Sequence, residues 1–381
     1  MCFIEVYIIN FTTDDDGEDE MSMAWLALAL AFFFAINIGA SGAAASMGAA
    51  FGAGAVRGKT IALGLVAVSV FLGAVLGGGE VVKTIGNDLI PAELLSIPIV
   101  LIILAGATGT LFVANLLGIP LSTSEVTVGS IVGVGLAFQA VYLNKLLTIL
   151  SFWVLVPAVA FGIAYLLSKG VYLLKRRYPG LKQGSRWQKG LSLLLIGTGC
   201  WEAFSAGMNN VANAVGPLVG AGLISTSAAL WWGGLFVALG ALLLGGKVLE
   251  TNGKRITSFS LLEGSIVSGT GGTLVVIASI FGIPVPLTQV TTSAIIGVGT
   301  AQGGFQLWQK NVVVQIFKVW LVSPVLSLVV AYTLVHLVLQ QDYYVLAVLL
   351  SMLVGSFGTI SLMKTVREGK QSAHKGGELE G

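Results

Sequence analysis

Three asparagines lie close together in a segment that is otherwise apolar. Asn209, Asn210 and Asn213 belong to the run GMNNVANAVGP, which starts at Gly207 and ends at Pro217. A carboxamide without partners costs on the order of several kcal/mol in hydrocarbon, so these side chains must face polar groups or a cavity. Gly207 and Pro217 can interrupt a helix and expose backbone N–H groups, which favour an anion. Tight packing of small residues explains the alanines but not the asparagines. The segment therefore predicts part of an anion site.

A second polar set follows two Gly-Ile-Pro triplets. Residues 118–135 read GIPLSTSEVTVGSIVGVG and residues 282–299 read GIPVPLTQVTTSAIIGVG, with nine of eighteen positions identical at an offset of 164. Proline suits the first turn of a helix, and Ser or Thr there can cap the helix or donate to a ligand. Such hydroxyls can also bond back to their own helix. The candidate ligand donors are Ser122, Thr123, Ser124, Thr288 and Gln289.

Two further pairs of segments repeat in the same order. The run GGEVVKTIG from Gly78 matches GGKVLETNG from Gly245 at an offset of 167, and their charged residues predict i,i+3 ion pairs, Glu80–Lys83 and Lys247–Glu250. The Gly-rich run from Gly39 matches the asparagine run at an offset of 168. In and beside it, the first half offers three more candidate donors, Asn37, Ser41 and Ser46. Duplicated halves with interrupted apolar segments are typical of secondary transporters, whose substrate site lies between the repeats.

The composition predicts an all-α polytopic membrane protein. The chain is 55% hydrophobic and 10% charged, whereas soluble domains carry about 25% charged residues. Apolar stretches of about 20 residues predict about eleven crossings, at 24–54, 60–77, 97–117, 119–141, 146–168, 191–222, 226–245, 258–281, 284–303, 312–337 and 343–363. The Pro, Ser and Thr content of 119–141 and 284–303 leaves re-entrant helical hairpins open as an alternative. We expect broken helices or hairpins at the substrate site.

The charge distribution predicts two inverted repeats. With the acidic residues near the N-terminus placed outside, all Lys and Arg except Lys83, Lys145 and Lys318 fall on one side, which the positive-inside rule makes cytoplasmic. Five crossings per half is odd, so the second half enters inverted, and the C-terminus is cytoplasmic. The predicted division is a polar extension 1–22, a first repeat 23–170, a basic linker 171–190, a second repeat 191–365 and a polar tail 366–381. The linker either marks topology or binds anionic lipid.

These motifs resemble one transporter family. The run GMNNVANAVGP is similar to the signature G-A-N-D-V-A-N-A-x-G-P of the inorganic phosphate transporter (PiT) family, and residues 122–125 are similar to its P-V-S-T-T-H element. The segments that begin at Ala35 and at Leu116 resemble more closely the bacterial sulfate permease subgroup. The resemblance covers roughly residues 23–365. It implies an inverted-repeat fold and uptake of an inorganic oxyanion driven by a cation gradient across the bacterial plasma membrane.

The departures from the family pattern concern the coupling ion. The family's Asp falls on Gly42 in the first half and on Asn210 in the second. Those acids help to hold sodium in the phosphate members, so we expect protons to drive transport here. Two carboxyl groups could carry them: Glu125, at the place of the family's His, and Glu202, five residues before Gly207. A carboxyl in apolar surroundings can hold a proton near neutral pH.

Sulfate is the predicted substrate, because a site of neutral donors satisfies an anion that only accepts hydrogen bonds. Monohydrogen phosphate also carries a proton, and leaving it unpaired costs about 1–3 kcal/mol. Sodium-coupled phosphate transport stays open as the alternative, an anion channel is the alternative from another class, and thiosulfate, molybdate and selenate are possible minor substrates. The sequence predicts no enzyme activity, cofactor, metal site or nucleic-acid partner; its predicted partners are sulfate, the coupling cation, the lipid bilayer and a possible homodimer.

Overall fold

The computed structural model describes residues 15–116, 121–177, 187–256, 259–304 and 311–351. All regular structure within these ranges is helical, and eight helices there are long and apolar enough to cross a membrane. The predicted fold class, an all-α polytopic membrane protein, is confirmed. The predicted tail 366–381, most of the crossing 343–363, residues 1–14 of the extension and 178–186 of the linker lie outside the described residues.

The α-helices of the described residues fall into two sets. The first set comprises α1 (Asp15–Ile38), α2 (Gly48–Gly52), α3 (Lys59–Gly77), α4 (Gly79–Asn87), α5 (Ile97–Leu116), α6 (Thr123–Ala137) and α7 (Leu143–Arg177). The second comprises α8 (Gln188–Gly220), α9 (Thr226–Leu244), α10 (Gly246–Ile256), α11 (Leu261–Ile280), α12 (Leu287–Gly303) and α13 (Asn311–Leu334). Shorter helical turns occur at Gly39–Ala43, Ala92–Leu94 and Val335–Leu339.

The starts of the helices reproduce the repeat seen in the sequence. Helices α9 and α10 begin 167 residues after α3 and α4, and α11 and α12 begin 164 residues after α5 and α6. Helix α13 begins 168 residues after α7. The three sequence offsets therefore apply to whole helices, and the two inverted repeats have the same order of elements.

The first two long helices of each repeat cross those of the other repeat reciprocally. A Cβ atom added at Gly39, the first residue of the π-helical turn after α1, would lie 1.9 Å from the carbonyl oxygen of Val237 in α9. A Cβ atom added at Gly207 in α8 would lie at the same distance from the carbonyl oxygen of Val70 in α3. Only glycine permits backbones to approach this closely. Because these four residues are equivalent in pairs, the two crossings are one contact made twice.

A large part of the chain belongs to one compact unit, residues 1–332, and a second unit comprises residues 333–381. In the described part of the second unit, Val335–Leu339 forms a π-helical turn, and the Nδ1 atom of His336 lies 3.8 Å from a carboxylate oxygen of Asp342. Residues 344–351 are helical. The site described below lies wholly within the first unit.

Two helices are too short to cross the bilayer. Helices α6 and α12 contain 15 and 17 residues, or about 22 and 26 Å at 1.5 Å per residue, against a hydrocarbon core of about 30 Å. Each starts after an extended residue, Ser122 or Pro286, and each packs on the helix before it, α5 or α11. These lengths favour the helical-hairpin alternative for 119–141 and 284–303. We call α5–α6 hairpin 1 and α11–α12 hairpin 2.

The predicted interruption in the asparagine segment is wrong, because α8 runs unbroken through Gly207 and Pro217. Pro217 has no N–H group to bond the carbonyl of Asn213 four residues earlier. That carbonyl instead accepts the hydroxyl of Thr127 in α6, at 3.5 Å. The first repeat does contain a break: α1 ends at Ile38, and a π-helical turn and the short α2 follow.

Candidate functional site

Asn209 joins both hairpins to the middle of α8. Its Nδ2 atom donates to Ser279 Oγ at 2.9 Å and to the carbonyl of Ile283 at 3.1 Å. Its Oδ1 atom accepts the backbone N–H of Val285 at 3.2 Å and the hydroxyl of Ser124 at 3.5 Å. All four hydrogen-bonding positions of this buried carboxamide are therefore used. Three of these partners come from hairpin 2 and one from hairpin 1.

Among the described residues, the side chain of Asn213, one helical turn later, hydrogen-bonds to hairpin 1. Its Nδ2 atom donates to Thr123 Oγ1 at 3.2 Å and to Ser124 Oγ at 3.1 Å. Its Oδ1 atom is buried and has no hydrogen-bond partner among the described residues. Ser124 is fully buried, and its hydroxyl also reaches the carbonyl of Val285 at 3.3 Å. The start of α6 is thus held between α8 and the extended start of α12.

Asn210 faces its own counterpart in the other repeat. A Cβ atom added at Gly42, which lies 168 residues earlier, would lie 3.8 Å from the Nδ2 atom of Asn210. The side chain of Asn210 is buried, and within the part of the chain that the structure describes its Oδ1 atom has no hydrogen-bond partner. The two positions at which the family motif has Asp are therefore close together, and here they present a hydrogen atom and a neutral carboxamide.

The candidate donors of the first half bond within their own segment. Asn37 Nδ2 donates to the carbonyl of Phe33, and Ser41 Oγ donates to the carbonyl of Asn37. Ser46 Oγ donates to the carbonyl of Ala43. The back-bonding alternative therefore describes these residues in this structure, which does not connect them to Asn209.

The hairpin residues Ser124 and Thr288 are equivalent at the offset of 164 but lie in different surroundings. Ser124 is fully buried, whereas Thr288 is exposed. Ser122 and Thr123, which precede Ser124, are also buried. The two hairpins therefore meet α8 differently: hairpin 1 contacts the asparagines through Thr123 and Ser124 at the start of α6, whereas hairpin 2 does so through Ser279 of α11 and the backbone that follows.

The two candidate proton carriers occupy separate buried clusters. Glu125 accepts hydrogen bonds from Gln289 Nε2 and from Ser323 Oγ in α13. Glu202 accepts the hydroxyl of Thr291 at 2.6 Å. Both carboxyl groups therefore face α12, by way of two residues that lie close together on that helix. Gln289, predicted as a substrate ligand, uses its amide on Glu125.

Sequence reasoning missed several residues of the site. Ser279 and the backbone of Ile283 and Val285 hold Asn209, and Ser323 holds Glu125. A signal for Ser323 was present, since it is a polar residue beside Pro324 in an apolar span. The role of the backbone groups could not be read from side-chain types.

One of the two predicted ion pairs is confirmed, and the other, Lys247–Glu250, stays a prediction. Glu80 and Lys83 form the predicted pair at 2.7 Å. Glu250 contacts Lys59 of α3 at 2.7 Å, a link between repeats that the sequence did not indicate. These residues are exposed and lie outside the asparagine cluster. Within the described ranges, no group of three His, Cys, Asp or Glu residues is placed to hold a metal ion.

Two inverted repeats, two hairpins and a buried polar centre between them define a secondary membrane transporter. Comparison with known proteins gives the family. The chain belongs to the phosphate transporter family, whose model matches residues 38–331, which confirms the resemblance inferred from the motifs.

Two similar proteins carry more specific names. Sulfate permease CysP of Bacillus subtilis is 56% identical over 344 residues, which cover 90% of this chain and 96% of the permease. A solved structure entitled "The sodium-dependent phosphate transporter" has 25% sequence identity and a TM-score of 0.70, and the match covers 82% of this chain and 99% of that one.

Proposed function

We propose that the protein imports sulfate across the bacterial plasma membrane by symport with protons. The observation that carries this proposal is the buried centre in which the asparagines of α8 meet the hydroxyls of hairpin 1, with no carboxylate at Gly42 or Asn210. The similarity to a sulfate permease supports the substrate. The N-terminus is proposed to lie outside and the C-terminus in the cytoplasm, and a homodimer stays a possible assembly.

The neutral character of the centre favours sulfate over phosphate. A carboxamide can turn its Nδ2 group toward an anion, whereas a carboxylate can only accept hydrogen bonds and repels a dianion. Monohydrogen phosphate carries an O–H group for which a carboxylate is the strong acceptor. Asn210 has a buried oxygen without a partner, so its side chain can reorient without breaking a hydrogen bond at that atom.

Sulfate can replace weak contacts at the centre. The hydroxyl of Ser124 reaches its two acceptors at 3.3 and 3.5 Å, at or beyond the long end of the usual range for O–H donors. A hydrogen bond to a charged group contributes about 1.5–3 kcal/mol. Turning the hydroxyl of Ser124 toward sulfate therefore exchanges long neutral contacts for a charge-assisted hydrogen bond, and the amide of Asn213 exchanges neutral bonds of ordinary length for a charge-assisted one.

Labelled sulfate uptake into proteoliposomes tests the proposal. A pH gradient, acidic outside, and an inward sodium gradient are imposed separately at matched membrane potential. We expect accumulation above the external concentration with the pH gradient and none with sodium at constant pH. Uptake that requires sodium contradicts proton symport. Flux that only equilibrates sulfate under either gradient indicates a channel.

Sodium-coupled phosphate transport is the second candidate. The family description and the similar solved structure support it, since both refer to phosphate transport. The same liposomes distinguish it when unlabelled phosphate competes with labelled sulfate. Competition by phosphate at equal concentration, combined with a sodium requirement, would favour this candidate over sulfate.

A further inference from the structure

We propose that Glu125 and Gln289 act as one proton-binding pair that links the two hairpins, and that either repeat can supply its carboxyl group. The inference rests on the proposed proton symport. It assigns the coupled proton to Glu125 rather than to Glu202, the other buried carboxyl group. It also gives Gln289 a role in proton coupling, whereas the sequence had predicted that Gln289 binds the anion.

The two residues are counterparts in the duplicated unit. They lie 164 residues apart, the offset that relates α6 to α12. Each is the third helical residue after an extended one, Ser122 or Pro286. Their side chains are 1% and 3% exposed, and Gln289 Nε2 donates directly to Glu125 Oε1. A residue can contact its own counterpart only near the axis that relates the repeats, so both helices begin at that axis.

The contact joins three helices through one carboxyl group. Gln289 of α12 donates to one oxygen of Glu125, and Ser323 of α13 donates to the other. Glu125 itself belongs to α6. The two donors suit a carboxylate, because both of its oxygens accept.

Proton binding reverses part of this pattern. A protonated carboxyl group carries an O–H donor and so needs an acceptor at that oxygen. The hydroxyl of Ser323 can turn to accept, and the carboxamide of Gln289 can present its oxygen in place of its nitrogen. The Ser323 hydroxyl keeps its partner when it turns, whereas the turn of the Gln289 amide changes how α12 is held against α6. The protonation state of the pair is thereby connected to the position of hairpin 2 against hairpin 1. The residue directly before Gln289 in hairpin 2 is the exposed Thr288.

Other charged groups around the pair are few. Among the described residues of α5, α8, α12 and α13, the charged side chains are Lys189, Glu202 and Lys318, of which Glu202 alone is buried. Glu202 bonds hydroxyl groups, which donate to a carboxylate or accept from a carboxyl without a change of partner. Protonation at Glu202 therefore leaves its contacts in place, whereas a proton on the Glu125 oxygen that faces Gln289 requires the amide of hairpin 2 to turn over.

A residue swap tests the pair. The variants are Glu125→Gln, Gln289→Glu and the double exchange E125Q/Q289E, which keeps one carboxyl and one amide in contact. Glu93→Gln, at an exposed position far from α6 in sequence, is the matched control. Each is reconstituted and assayed for proton-driven sulfate accumulation and for sulfate–sulfate exchange, which needs binding and alternation but no gradient.

The expected result is a separation of exchange from accumulation. Glu125→Gln exchanges sulfate but does not concentrate it, the double exchange regains concentration, and the control matches the wild type. Proton-driven accumulation by Glu125→Gln overturns the inference, as does a double exchange that exchanges sulfate without concentrating it. Loss of accumulation in Glu202→Gln with retention in Glu125→Gln assigns the proton to Glu202 and likewise overturns it.

Failure of the proposed function appears in a different measurement. If the wild-type protein accumulates no sulfate under a pH gradient, proton symport is contradicted. The proton-binding role of Glu125 and Gln289 is then rejected as well, before any variant is compared. If the thermal melting curve shows that Glu125→Gln is unfolded, the double exchange E125Q/Q289E decides. Restored sulfate accumulation by the double exchange supports the pair, and a folded double exchange that accumulates no sulfate overturns it.

Discussion

Replacing Asn210 by Asp tests the selectivity argument at a single atom. Asp and Asn are nearly equal in size, so packing around this buried position should survive. The change removes the Nδ2 donor and introduces a carboxylate beside Gly42. Sulfate has only acceptor oxygens and should bind more weakly, whereas monohydrogen phosphate can donate its proton to the new group. We expect the ratio of sulfate to phosphate affinity to fall.

The loss of one donor to a charged ligand sets the expected magnitude. Such a hydrogen bond contributes about 1.5–3 kcal/mol, which corresponds to a roughly 10- to 150-fold weaker sulfate affinity. Charge repulsion adds to this loss when the carboxylate is ionised. The assay is competition between labelled sulfate and unlabelled phosphate in proteoliposomes, at several sodium concentrations.

Gly42 provides a second variant and its control. Outside its own helical segment, an added Cβ atom there meets one atom of the described residues within 4 Å, Asn210 Nδ2 at 3.8 Å, which is ordinary van der Waals contact. Gly42→Ala should therefore fit without a steric clash and leave transport unchanged. Gly42→Asp should lower the ratio of sulfate to phosphate affinity, as Asn210→Asp does. If Asn210→Asp keeps wild-type sulfate uptake and gains no phosphate competition at any sodium level, residue 210 does not face the anion and the reasoning is refuted.

Three other results follow from the same contacts. Alanine at Asn213 or at Ser124 should weaken sulfate binding by about 1–3 kcal/mol, measured by equilibrium binding in detergent; unchanged binding in both would remove them from the site. Gly207→Ala should destabilise the protein by about 1–3 kcal/mol or more, since its Cβ atom meets the Val70 carbonyl, while Gly64→Ala, with open space, should not lower the melting temperature. In a background without native cysteines, Thr288→Cys should react with a polar thiol reagent and Ser124→Cys should resist it; equal reactivity would contradict the different seating of the hairpins.

The sequence predicted the elements of the fold because the chain is duplicated, so that each helix has a counterpart in the other half of the sequence. Apolar length identified the long helices, and the offsets of 164, 167 and 168 placed their counterparts. The break in α8 was predicted wrongly because Gly and Pro were interpreted as helix breakers. In the structure Gly207 permits a close helix crossing, and Pro217 frees a carbonyl that Thr127 bonds.

The site was predictable in its polar residues but not in their partners. Asn209 and Asn213 stood out because amides are rare in apolar spans, and they do meet Ser124. That Asn209 is saturated largely by the backbone of hairpin 2 depends on tertiary contacts that carry no side-chain signature. The contact between Glu125 and Gln289 depends on a symmetry axis, which appears only when both repeats are assembled.

Packing and chemistry have diverged to different degrees between the repeats. The glycine crossings are the same contact made twice, at Gly39 and at Gly207. At the polar centre the counterparts differ: Asn210 faces Gly42, and Glu125 faces Gln289. Because the glycine crossings are symmetric, each repeat packs against the other through equivalent helix contacts. Such packing suits alternating access, in which one repeat moves against the other largely as a rigid body. Because the residues at the axis differ, one carboxyl group (Glu125) and two amides (Asn210 and Gln289) lie where the repeats meet. The proposed neutral anion site and the proposed proton site can therefore each serve both orientations of the transporter.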